Sequence, residues 1–225
     1  MLRKLLILLI LSIGPALSHT DHYKNISKID MQILRNGKIV GFSNYMLNRS
    51  ENELEIKNIT EFNVKLFDVT IFKIKSNSVE TYKNNQLIKF KSKTYQNDKV
   101  KFVDLYFNKD LKKYIINGSS YSGEAEIENI IGNWWNHDIL NVKSQISPLS
   151  GSIKKQSVKF IKKEIVNINS VNYELDHFKL VSPNKKLPKD KKLDFDIWYD
   201  SKNFLIRKIS HQNMGKWDYI LVNVE

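Results

Sequence analysis

The sequence predicts an all-β, mainly antiparallel fold: a curved open sheet, half-barrel or barrel-like meander with at most one or two short helices. Two observations carry this. Apolar residues alternate with polar ones in many short segments, and turn signals separate those segments. Strand side chains point alternately to opposite faces, so a period of two marks a sheet with one buried face.

The last third shows the pattern best. In LDFDIWYD, Leu193, Phe195, Ile197 and Tyr199 fall on one face and Asp194, Asp196, Trp198 and Asp200 on the other. A helix would scatter those acids around its circumference. Turn residues at Asp200 to Asn203 lead into FLIRKIS, and the turn at Asn213 to Lys216 leads into Trp217, Tyr219 and Leu221.

Upstream, Arg35-Asn36-Gly37-Lys38 between two apolar runs is a hairpin signal, because Asn-Gly tolerates positive φ at both turn positions. Gly41 inside the next strand predicts a bulge or a close backbone approach. Val64 to Ile74 (VKLFDVTIFKI) is apolar on both faces and rich in β-branched and aromatic residues, so it reads as a central strand. Strands follow at Val79 to Lys83, Leu87 to Tyr95, Val100 to Phe107 and Tyr114 to Asn117, with polar turns between them. Gly123 to Gly132 has a helical spacing, with Ile127, Ile130 and Ile131 on one face and Ser122 placed to cap it. Gln156 to Ile168 reads as a strand pair or one long bent strand, and Ser182 to Lys192, with Pro183 and Pro188, as a loop.

Residues 1–18 have the layout of a secretory signal peptide: Arg3 and Lys4, an apolar run from Leu5 to Ile13, then Ala16 and Ser18 before a cut at His19. The expected product is a single β-rich domain over residues 19–225, exported to a periplasm. The chain has no cysteine, which excludes disulfides, a cysteine nucleophile, thiolate metal ligands and a lipid anchor on cysteine.

The net charge is +12, or +10 once Arg3 and Lys4 are removed with the leader. Arginine is scarce, at positions 3, 35, 49 and 207, whereas direct base reading leans on arginine. Nucleic acid is therefore not an expected partner. Strand lysines such as Lys89, Lys91 and Lys93 read as a solvated face that resists edge-to-edge aggregation. Weak contact with an anionic membrane surface is compatible with the charge.

The most conspicuous chemical cluster is Trp134, Trp135, His137 and Asp138. One reading is a base oriented by a carboxylate beside an aromatic wall; the other is two tryptophans that plug a β-core. Trp198 and Trp217 complete the candidate ligand-binding set. No residue is assigned a catalytic role. The histidines lack the spacing of a metal motif, and no phosphate loop, nucleophile elbow or dinucleotide fingerprint is present. No cofactor or metal is expected.

The cadence Glu80-x-Tyr82, Leu87, Ser92-x-Thr94, Trp135, Gly151, Tyr173-x-Leu175, Trp198-Tyr199-Asp200, Gly215 and Tyr219 resembles a family of uncharacterised exported proteobacterial proteins known only as a domain of unknown function. The likeness runs from about Ile29 to the end and implies no catalytic residues. More loosely, the Trp-Tyr-Asp, turn, Leu-Ile-Arg ending is similar to the closing hairpin of periplasmic half-barrel proteins, including lipoprotein carriers. That similarity implies an open sheet around an apolar interior.

The expected function is a non-catalytic, monomeric binding module holding an apolar, lipid-like ligand. One alternative is an envelope structural or protein-interaction domain. The other is a hydrolase using His137 and Asp138. Whether the interior is filled or hollow is the discriminating observation.

Overall fold

A computed structural model describes residues 23–225; the segment read as a signal peptide, residues 1–18, lies outside the described residues. Sixteen strands are described. Thirteen form one open, antiparallel sheet in the order β12-β13-β14-β15-β16-β1-β2-β3-β4-β5-β6-β7-β8. The chain begins in its middle: β1 (Lys28–Arg35) pairs with the last strand, β16 (Lys216–Val224), on one side and with β2 (Lys38–Arg49) on the other. One arm then runs through β3 (Glu53–Leu66), β4 (Val69–Lys83), β5 (Gln86–Gln96), β6 (Lys99–Asn108), β7 (Lys113–Gly118) and β8 (Ser122–Glu126). The other arm holds β12 (Ser157–Ile168), β13 (Val171–Val181), β14 (Asp194–Asp200) and β15 (Ile206–Gln212). The edges, β8 and β12, do not pair with each other, so the barrel is not closed.

The alternation read from LDFDIWYD holds. Leu193, Ile197 and Tyr199 are buried, while Asp194 is exposed. The same phase continues across both arms: Ile29, Met31 and Ile33 on β1, Leu54 and Ile56 on β3, Val103 and Leu105 on β6, and Leu180 on β13 all point inward. Gly41 is a close approach, since a Cβ there would sit 2.0 Å from the Glu61 carbonyl oxygen. The neighbouring register shift falls between Ile33 and Leu34. Ser157–Ile168 is one strand, irregular between Phe160 and Lys162.

Between β8 and β12 the chain leaves the large sheet and crosses its inner face. This crossing segment carries β9 (Ile130–Ile131), a 3-10 turn (His137–Leu140), β10 (Ser144–Ile146) and β11 (Ile153–Lys155). The short strands form their own sheet, in which β9 and β10 are parallel. Trp135, Ile139 and Ile146 on this segment are fully buried in the same cluster as Leu105 from one arm and Leu180 from the other. The interior is thus largely filled by the chain itself.

Two local expectations are corrected. Gly123 to Gly132 is not helical: Ser122–Glu126 pairs with β7, which would otherwise end the sheet with open hydrogen-bonding groups, and Ile130–Ile131 pairs with β10. Val64 to Ile74 is not one central strand. It folds back at Phe67 and Asp68, both at positive φ (47° and 63°), so a two-residue hairpin turn sits inside a run that is apolar on both faces.

Candidate functional site

The inner face changes character halfway along β2 to β5. Register places Ser43, Thr60, Ser76 and Thr94 side by side across four strands. The next row on that face is Tyr45, Asn58, Ser78 and Ser92. These two polar rungs lie where the alternation calls for apolar residues, between Phe62 and Ile74 above and Leu47, Ile56 and Phe90 below.

Most of their groups are internally satisfied, as buried polar atoms must be. The Ser43 and Thr60 hydroxyls are 2.7 Å apart, and those of Ser76 and Thr94 are 2.6 Å apart. Asn58 Nδ2 donates to Ser43 Oγ at 3.1 Å and to the Asn44 carbonyl at 3.0 Å, while Thr60 Oγ1 donates to Asn58 Oδ1. Ser92 Oγ donates to the Pro148 carbonyl at 2.6 Å, tying the rung to the crossing segment.

Facing the rungs is an open cleft of about 260 Å³. Its opposite wall is apolar and aromatic: Trp134, Leu149, Leu193, Phe195 and Tyr219. The Trp134 and Phe195 rings are 4.9 Å apart. His211 also faces the cleft, its ring nearly parallel to that of Trp217 at 5.9 Å. Burial pushes the His211 imidazole down to about 4, outweighing the opposing pull of Asp218 and Asp194, so it is neutral at pH 7.

Directly below Ser76 and Ser78 on the same strand, Glu80 is fully buried. Its carboxylate accepts hydrogen bonds from Tyr82 Oη (2.7 Å), Trp135 Nε1 (3.1 Å) and Asn133 Nδ2. Burial raises it to about 7 despite these three donors. Asn133 lines the cleft as well, so the carboxylate anchors one of its walls.

The six residues anticipated from sequence are dispersed. Trp134 lines the cleft. Trp135 lies inside the core, edge-on to Tyr23 and Tyr82. His137 is buried and stacked on Phe204 at 5.3 Å, and Asp138 sits in the 3-10 turn with its backbone N–H capped by Asn136; neither lines the cleft. Trp217 is buried against Phe62 in a small satellite core, and its indole donates to the Asn213 carbonyl. Trp198 is on the outer face, stacked on His177 at 4.3 Å and donating to Glu164. His137, His177 and His211 therefore occupy three separate environments. Among the described residues no group of three or more His, Cys, Asp or Glu is placed to hold a metal.

The rungs and Glu80 were missed because hydropathy assigns Ser and Glu to the wet face. The signal that would have found them is Ser76-x-Ser78-x-Glu80-x-Tyr82, in phase with the buried Ile74.

The fold is similar to the crystal structure of a beta-barrel-like protein of Domain of Unknown Function DUF1849 from Brucella abortus, with a TM-score of 0.59 at 10% identity, over 89% of this chain and 96% of that one. At that identity the likeness is one of fold. No curated protein matches the sequence. A family model described as Domain of unknown function (DUF6134) matches residues 31–222, most of the chain, and the chain belongs to that family.

Proposed function

We propose that the protein is an exported, non-catalytic binding module whose half-barrel holds part of an amphiphilic, lipid-like ligand in the cleft. The observation that carries this reading is the pairing of two buried polar rungs with an aromatic and aliphatic wall across one open space. A purely structural interior gains nothing from buried hydroxyls, since each polar group brought inward must be offset by a hydrogen bond. The cleft is smaller than the roughly 300–1,000 Å³ of typical small-molecule pockets, so it suits one end of a ligand whose remainder lies outside. In this reading the hydroxyls and the neutral His211 imidazole meet the polar end, and Trp134, Phe195 and Tyr219 meet the adjoining apolar part. The leader at residues 1–18 and the absence of cysteine support export without a cysteine-linked anchor.

The test is native mass spectrometry of protein purified from an exporting host, with organic extraction of whatever it carries. An amphiphile retained by the wild type and lost from Ser76→Leu, which fills the cleft, is the expected result. An empty wild-type protein that also fails to take up a panel of fluorescent lysolipids and fatty acids would overturn the reading.

A further inference from the structure

The corrected run at Val64 to Ile74 builds a feature with its own use. Pairing of β2 with β3 stops at Gly41 opposite Phe62, and pairing of β4 with β5 stops at Ile74 opposite Gln96. Residues 63–73 therefore find ladder partners only in each other, in a two-stranded finger flanked at its base by Val40 of β2 and by the β5–β6 turn. Its lower part rests on the body, with Val64 buried beside Ile33, Phe62, Ile74 and Trp217 and with Phe72 packed on the same cluster. From Val64 to Leu66, at about 3.3 Å per residue, the free end extends roughly 7 Å.

Its tip is apolar apart from Asp68. Phe67 is 91% exposed, Val69 65%, Leu66 55% and Ile71 42%. Turns of this kind favour Asn and Gly, and a bulky residue at positive φ is a genuine outlier. Phe67 at φ 47° meets that description, so neither core packing nor local backbone preference accounts for a phenylalanine at this tip.

Basic residues ring the base. Lys65 and Lys73 are on the finger, Lys75 lies just below it on β4 opposite Tyr95, Lys99 opens β6 and Lys38 opens β2, and all five are exposed. Against them stand Asp68 at the tip, Asp98 on the β5–β6 turn, and Glu61, which is paired with Lys75 at 2.7 Å. Strand alternation brings the β1–β2, β3–β4 and β5–β6 turns to one rim, and that rim also exposes Ile39 and Val100. The β5–β6 turn is fixed to the finger, because Asn97 accepts from the Lys73 N–H at 2.8 Å and donates its own N–H to the Lys73 carbonyl at 3.0 Å.

From this geometry we infer that the β3–β4 finger docks the protein onto an anionic lipid bilayer, with Leu66, Phe67 and Val69 entering the interface and the lysines meeting the headgroups. An apolar tip with a basic collar matches the two contributions to interfacial binding, buried apolar area and attraction to anionic lipid. The tip's backbone groups are already paired across the hairpin (Leu66 opposite Val69, Lys65 opposite Thr70), so shallow entry strands few of them away from water. Phe62 and Ile74, at the base of the finger, also line the cleft, so docking would bring its mouth toward the bilayer. The inference does not depend on the ligand reading.

The absence of cysteine supplies a clean reporter. A nitroxide placed through Phe67→Cys reports only the tip, and one placed through Leu111→Cys reports an equally lysine-rich turn on the opposite rim. Both full chains are mixed with vesicles of equal parts phosphatidylcholine and phosphatidylglycerol. The expected result is that the label at 67 becomes shielded from a water-soluble relaxant while the label at 111 does not. Flotation with the vesicles should weaken by about tenfold or more in Leu66→Ser/Val69→Ser, from the lost apolar burial. It should also weaken in about 1 M salt, where the Debye length falls to about 3 Å. No shielding at 67, equal shielding at 67 and 111, or flotation unaffected by the double substitution overturns the inference. So does concentration-dependent self-association through the tip without vesicle binding.

Discussion

The indole Nε1 of Trp135 donates to the carboxylate of Glu80, 3.1 Å away and 55 positions earlier in the chain, with both side chains buried. This contact fastens the crossing segment to the inner face of β4. Glu80→Ala would leave the Trp135 and Asn133 donors buried without their acceptor and open a cavity. The expected loss is about 3–5 kcal/mol in denaturant unfolding, the scale for breaking a buried polar cluster from one side. Glu80→Gln keeps an acceptor for Trp135 and Asn133 and offers Tyr82 a donor in exchange. It should fold and lose far less.

Glu80 and His211 should pull stability in opposite directions with pH. The Glu80 carboxyl is raised from 4.5 to about 7, so its contribution is full below pH 4.5 and is lost as pH rises to 7. His211 is lowered from 6.5 to about 4, so its contribution is full above pH 6.5 and is lost as pH falls to 4. Each shift corresponds to about 3 kcal/mol. Between pH 4.5 and 6.5 the two slopes largely cancel. Urea midpoints across that range should therefore climb more steeply with pH in Glu80→Gln than in the wild type, and less steeply in His211→Gln. Parallel profiles for all three proteins would show that neither group titrates as its burial requires.

Two adjacent tryptophans should behave differently. Trp135 has no exposure and contacts Tyr23, Tyr82 and Glu80, so Trp135→Ala should cost about 3–5 kcal/mol or abolish folding. Trp134 is half-buried at the cleft wall against Phe195, so Trp134→Ala should unfold close to the wild-type midpoint while weakening any ligand retained in the cleft. Thermal melts and ligand retention, measured on both variants, separate packing from binding. Equal destabilisation would remove the distinction.

That contrast marks what the sequence could and could not convey. The fold class was legible because alternation is a local property: Leu193 to Tyr199 needs only its own neighbours to show which face is wet. The pairing of His137 with Asp138 was an adjacency in sequence, and the 3-10 turn separates the two from the cleft. The polar rungs depend on register across four strands, which no single segment carries. The turn at Phe67-Asp68 was invisible for another reason: phenylalanine is not a turn former, and Asp68 stands alone among β-branched and aromatic residues, so the run around them read as one central strand.

Replacing Phe67-Asp68 with Asn-Gly supplies residues that accept positive φ at both positions, where a side chain such as Phe costs about 1–2 kcal/mol. The strands of the finger keep their register, Leu66 opposite Val69 and Lys65 opposite Thr70, so the hairpin itself should tighten. Amide hydrogen exchange over residues 63–73 should slow by about tenfold, the equivalent of about 1.4 kcal/mol, while exchange in β13 to β15 stays as it was. The same variant removes the most exposed apolar side chain on the rim and should float less well with anionic vesicles. A sturdier hairpin that binds lipid less would mean that the unfavourable turn is retained for what Phe67 touches outside the fold. If exchange over the finger speeds up instead, the phenylalanine is packing against the hairpin in solution, and its exposure has some other origin.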